Sequence, residues 1–475
     1  MSTSSFAVRR RSFKLHKAIL GAALALSAFG VSDSSRYVLA QAVNLGAGNA
    51  NLTADDTLAP GGDMSTSATS NAAGTSTITV VPAAGAGTPL TISGDLIMAG
   101  NNLGINIGGA ETLTITGDIT GTATLTLDQN AAGAGTINIS GAKATTGPIA
   151  ITASGAGTLT VTVNNATGLG TAAGGVSVAA DTTLDIQNAS IGAEALALSG
   201  TLEASTGTSE YSGVVTLGGA ATLSADAGAS LTLDGAGNGL VIGANALTKA
   251  GAGTVVINTV ATGTGPVTVN AGTLALAGAN TYSGITTVNS ATLQLRAGGS
   301  IRSGNVVVIN NGGTFDLNGQ SQAAITVNTT AGATLKGGVL GGTINAQGAT
   351  IENVTGNADL NLNSGNQTIK GTNAFGDLAF NAGTTTVALP TNGSVPVTAS
   401  GTISANGGQL NVDATGLTAA QVKGEKTIIA GTVPDAIASA TTFTYAGNSE
   451  KFEAFNKPLA TPALYDVALL KGSLV

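Results

Sequence analysis

The chain has 475 residues, of which 70 are glycine and none is cysteine; 9% are charged, 3% are aromatic, and the formal net charge is −8. Without cysteine no disulfide can staple the fold, and so little charge beside so much glycine is unlike an ordinary globular enzyme. Val, Ile and Leu recur on a period, which excludes charged disorder.

Residues 1–42 read as a secretory signal. Arg9, Arg10, Arg11, Lys14, His16 and Lys17 form a basic start, Ala18 to Val31 is an apolar run, and Ala40-Gln-Ala42 offers small residues at the cleavage positions. The apolar run is too short to span a bilayer. Arg10-Arg-Ser-Phe-Lys14 also fits a twin-arginine signal, beside the general export route. Removal of 1–42 takes away six basic residues and one acidic residue, so the net charge moves from −8 to −13. No basic stripe is left, and nucleic acid is not an expected partner. No later stretch is long and apolar enough for a second transmembrane helix.

Residues 43–85 are polar and weakly periodic, as expected of a leading segment that caps the first coil of a repeat fold. From residue 86 to 385 the pattern is one of short strands. Leu113, Leu125, Ile137 and Ile149 each open a strand at intervals of 12, and the phrase Ile92-Ser-Gly-Asp-Leu96 returns after almost two such intervals as Ile115-Thr-Gly-Asp-Ile119. Two strands per coil would give a β-solenoid. The same spacing fits an antiparallel sandwich or meander, although Asn-Gly and Asp-Gly hairpin turns are sparse.

The pattern is clearest between 247 and 328. One phrase is a β-rich tripeptide closed by Asn258, Asn270, Asn289, Asn310 or Asn328. The other starts at Gly272, Ala291, Gly313, Ala333 or Ala349 and continues with Thr and an apolar-x-apolar pair, such as Leu293 and Leu295. Most intervals are about 20 residues, a solenoid period. A coil that short cannot bury its own apolar face and must stack on its neighbours. Leu274, Leu276, Leu293, Leu295, Phe315 and Leu317 are predicted to point inward, and Asn at equivalent turns to form ladders. The fold expected is all-β: a right-handed parallel β-helix of roughly 16 coils, 75 to 80 Å long at about 4.8 Å per rung.

Leu247-Thr-Lys-Ala-Gly-Ala-Gly253-Thr, Gly272-Thr-Leu-Ala-Leu, Ala279-Asn-Thr-Tyr282-Ser-Gly284 and Thr287-Val-Asn-Ser-Ala-Thr-Leu-Gln-Leu295 resemble the passenger-associated, or autotransporter-associated, β-strand repeat. The resemblance is close from 247 to 319, with an echo at Tyr211-Ser-Gly. It implies a secreted β-helical passenger of a two-membrane bacterium, and it implies that residues 386–475, where Pro, aromatic residues and Lys cluster, are a C-terminal cap. An autotransporter would continue into a translocator barrel of many alternating strands. The stretch from Tyr465 to Val475 reads as one or two strands, so a truncated passenger and a passenger without its own barrel both stay open.

The candidates for chemistry are few. His16 is the only histidine, so Ser-His-Asp and Cys-His catalysis and typical zinc sites lack their residues. No catalytic residue, cofactor or metal is expected. Asp95 and Asp118 share one phrase and would sit in adjacent rungs, either sharing a cation or pointing separately into water. Tyr282 and Tyr211 would either contact a glycan or protein from the surface or pack over the next coil. Arg296 and Arg302 read as solvated turn cations. The expected role is that of an exported structural or adhesive protein meeting host-cell, matrix or neighbouring-cell surface molecules. The alternatives are a self-assembling surface-layer or matrix subunit meeting copies of itself and, more remotely, a polysaccharide-active enzyme.

Overall fold

The structure is a computed structural model that describes residues 77–80, 90–98, 100–171, 173–418, 421 and 426–431 with their side chains. It also describes the backbone of strands between 50 and 76 and between 432 and 471. The export signal expected at 1–42 lies outside the described residues. Every element described is a β-strand, and no helix among the described residues is long and apolar enough to cross a membrane.

The strands stack in parallel as a β-solenoid of about 15 turns. Parallel pairing begins with Ala50–Leu52 against Ala68–Ser70 and continues to Gln409–Asp413 against Thr442–Thr444, beyond both ends of the span 86–385. Among the described residues only the last strands pair antiparallel: Lys426–Thr432 with Tyr465–Lys471, and Phe452–Pro458 with Tyr465–Lys471. The sandwich alternative is therefore excluded. The strand at 426–432 carries the change of direction, because its other edge still pairs in parallel with Val397–Ala405.

Where the strand spacing is regular, each coil carries three strands rather than the two expected: the regularly spaced strands alternate between two faces, and Leu96–Met98, Ile119–Gly121 and Lys143–Thr145 stack as a third. Leu113 pairs with Ile137 and Leu125 with Ile149, so each coil there takes up two of the intervals seen in the sequence. Ile92 lies under Ile115, as the repeated phrase requires. Coils are shorter where Leu274 pairs with Leu293 and shorter still where Thr334 pairs with Thr350; they lengthen again where Thr384 pairs with Gln409. The turns absorb these differences while the strand register is kept.

Alternation decides which side chains go inside. Leu274, Leu293, Phe315, Leu335, Ile351 and Ile369 form one continuous interior column. All six Leu and Phe side chains predicted inward are buried. Each such side chain contributes about 1.5–3 kcal/mol relative to exposure. Two glycines of the repeat phrase are needed for different reasons. Gly272 has φ +59, a left-handed angle that other residues adopt at a cost. Gly284 is a close approach: a Cβ there would lie 1.9 Å from the Gly265 carbonyl oxygen of the coil below. Gly213, in the matching Tyr-Ser-Gly phrase, meets Glu194 O in the same way.

Candidate functional site

Asp95 and Asp118 do lie in adjacent coils, and their geometry assigns them a structural task. Asp95 Oδ1 accepts the backbone N–H of Asp118 at 3.0 Å. The same link recurs where Asp359 accepts from Asp377 N and Asp377 from Thr402 N. The carboxylate thus fastens one turn to the next. In the coil above, Lys143 continues the interior column over Leu96 and Ile119. It is buried, and its ammonium donates to Gly117 O at 2.8 Å. Burial lowers its pKa to about 8, and the charges of Asp118 and Asp95 oppose that shift. No group of three or more acidic, His or Cys residues able to hold a metal occurs among the described residues.

The Asn series divides between columns. Asn289 Nδ2 donates to Asn270 Oδ1 at 2.6 Å and Asn310 Nδ2 to Asn289 Oδ1 at 2.8 Å, one ladder along the outside. Asn328 begins a second ladder, shifted by two residues along the strand, with Asn345 and Asn361. Asn258 stands apart and donates to Asp234 at 2.8 Å. Asn381 bridges Asn363 and Asn406 in a third ladder. Equal spacing in sequence hid these shifts because coil length varies.

Both tyrosines are interior residues. Tyr282 is buried, its hydroxyl lies 2.8 Å from Thr286 Oγ1, and desolvation pushes its pKa up to about 12. Contact with an outside glycan or protein is therefore not open to it. Tyr211 has Val215 where Tyr282 has Thr286, and its hydroxyl has no hydrogen-bond partner. Desolvation raises its pKa, and the nearby Glu194 charge adds to the rise. Glu194 is itself buried with Oε2 unpartnered, and desolvation raises its carboxyl pKa.

Three interior charged groups escaped the sequence reading: Lys143, Glu194 and Lys249. Lys249 lies between Leu223 and Val269 in the interior, donates to the carbonyls of Ala250, Gly251 and Ala271, and has its pKa lowered to about 8 by desolvation. The signal for it was present. In Leu247-Thr-Lys, strict alternation puts Lys249 on the same side as Leu247.

Exposed charges are dispersed. Arg296 and Arg302 occupy exposed turns. Asp316, Lys336, Glu352 and Lys370 alternate in sign up one column, with Lys336 Nζ 3.6 Å from Asp316. Two outward carboxylates are covered rather than exposed: Asp185 accepts from Ser205 and Gln187, and Asp128 from Thr152 and Ser154. These carboxylates are occupied by hydroxyls and backbone amides of the next coil and, at Asp185, by Gln187 of the same coil. A groove near the C-terminal end is lined by Leu389, Pro390, Asn392, Leu417, Gln421 and Lys426, with no acid–base pair in it.

The arrangement is that of a stacked β-solenoid scaffold. The passenger-associated-transport-repeat family matches the chain at residues 247–276 and 271–295, the coils that hold Lys249, Tyr282 and the Asn270–Asn289 pair of the first Asn ladder. Repeat and solenoid together fit an autotransporter passenger repeat protein. No curated protein and no solved structure matches the chain.

Proposed function

We propose that this chain is an exported, passenger-type β-solenoid that serves at the cell surface or outside the cell as a structural and adhesive element. What supports the reading is that the passenger repeats lie inside an uninterrupted parallel stack whose polar groups are largely spent on neighbouring coils. Contacts would be made by an extended outer surface, many weak ones adding through multivalency. Its partners would be molecules of host cells, matrix or neighbouring cells.

Cell fractionation with protease shaving tests export: cleavage of the chain on intact cells is expected, and a wholly protected chain refutes surface display. Adhesion of cells carrying the wild type, Arg296→Ala and in-register coil deletions tests the distributed surface. The single substitution should reduce adhesion slightly and the deletions strongly. The enzyme alternative is tested by a polysaccharide screen. Turnover abolished by Asp95→Asn or Asp118→Asn alone would replace the adhesive reading.

A further inference from the structure

One face of the solenoid carries an outward column of threonine through nine consecutive coils, from Thr112, Thr136 and Thr160 up to Thr268 and Thr287. Sequence spacing conceals it, since the step from Thr183 to Thr201 is short and the step from Thr222 to Thr248 is long. The column continues as Val308, Asn328 and Asn345. All nine threonines are partly exposed. The upstream flank ends in the exposed Pro266 and Ile285, the latter 51% exposed. The downstream flank carries Asp185 and Glu203, both tied to serines, and then the Asn270 ladder. Asp181 and the half-buried Glu111 are the charges at the margin, and residues 235–315 contain no carboxylate at all.

We propose that this threonine face is the surface through which two copies of the chain associate side by side, an inference that rests on the surface reading above and names its partner. Three observations favour a second copy. A threonine hydroxyl both donates and accepts, so the column is complementary to itself. The rungs recur at about 4.8 Å whatever the coil length. A second copy has the identical repeat and stays in register along the whole face, whereas a ligand with another repeat drifts out. The twelve rungs from Thr112 to Asn345 span about 53 Å, and at about 15 Å across they give roughly 800 Å² per copy, the size of a standard specific interface. The chain is acidic, so copies repel elsewhere and approach most easily where charge is sparse. A second long threonine column, Thr254 to Thr386, is flanked by the charged row Asp316, Lys336, Glu352 and Lys370 and serves as the internal control.

Sedimentation equilibrium of the purified chain over a concentration series tests the proposal. Association is expected, and it should strengthen as salt screens the net negative charge. Thr222→Glu with Thr268→Glu should weaken it at least about tenfold, while Thr334→Glu with Thr350→Glu, beside Lys336 and Glu352 on the control column, should change it less than about twofold. The chain lacks cysteine, so Thr222→Cys, Thr268→Cys and Ile285→Cys report the contact directly if a glutamate variant unfolds. At least one should cross-link to its own kind under oxidation, and Thr334→Cys, beside Lys336, should not. A wild type that stays monomeric at its solubility limit overturns the proposal. So does equal loss from both columns, or binding of a polysaccharide that the Thr222/Thr268 variant loses while association persists. Shaving of cells tests display separately, so failure of either idea is recognisable.

Discussion

Tyr211 and Tyr282 occupy the same phrase, and the residue four positions on sets their different energetics. Tyr282→Phe removes a hydroxyl paired with Thr286 and should cost about 1 kcal/mol. Tyr211→Phe removes an unpartnered buried hydroxyl and should be neutral or stabilising. Thermal melts of the two variants, side by side, check this contrast; equal losses would refute it. Glu194 gives the molecule a pH dependence. Its folded pKa lies above the ordinary 4.5, so the native state binds more protons than the unfolded chain above that value. Stability then falls as pH rises from about 4.5 through the folded pKa, and Glu194→Gln should remove that slope and raise the neutral-pH melting temperature. The lysines act in the opposite sense. Lys143 and Lys249 are lowered to about 8 from 10.5. The unfolded chain therefore binds more protons between those values, and their contribution to stability rises with pH across that window. Melts of Lys249→Met at pH 8 and pH 10 should show a shallower rise than the wild type.

At the scale of the strand and its ladder, the alternation within Thr-Leu-Gln-Leu assigns opposite consequences to neighbours. Leu293 is fully buried in the interior column. Leu293→Ala should cost about 2–5 kcal/mol, and Leu293→Asp more, since it buries an unpaired charge. Gln294→Ala, facing outward, should stay within about 0.5 kcal/mol. Denaturant unfolding that ranks Gln294→Ala above Leu293→Ala would reverse the assigned faces. Asn289 sits in the middle of its ladder with a bond on each side. Asn289→Ala should cost about 1–2 kcal/mol for those two bonds, and Asn258→Ala, with one exposed bond to Asp234, clearly less.

For the whole molecule, neighbour-only contacts make register the governing constraint. Thr273 pairs with Thr292, so deleting 273–291 joins equivalent points of successive coils and should leave a folded, slightly shorter rod. Deleting 273–284 instead joins inequivalent positions and should prevent folding downstream. Circular dichroism and small-angle scattering of the two deletions distinguish them. The intact stack of about 15 turns should scatter as a rod about 70 Å long. A spherical form would contradict it. The antiparallel pairing of Tyr465–Lys471 with Lys426–Thr432 and with Phe452–Pro458 changes the direction of pairing at the end of the stack.

Sequence alone determined the class of fold, because alternation and a recurring phrase are local properties: apolar side chains every second residue, and turns tolerant of left-handed angles. It also placed Leu293, Leu295 and Phe315 inside and Asp95 beside Asp118. What it did not determine is which residues stack, since coil length drifts, short from Thr334 to Thr350 and long from Thr222 to Thr248, and only the paired backbone keeps register. That is why the Asn series divided, with Asn258 and Asn328 leaving the ladder of Asn270, Asn289 and Asn310, and why the nine-rung threonine column went unseen. Tertiary structure alone decided that Tyr282 is enclosed and that Lys143 and Glu194 are interior charges. Burial of a turn or corner residue depends on the coil above and the coil below, and neither is adjacent in sequence.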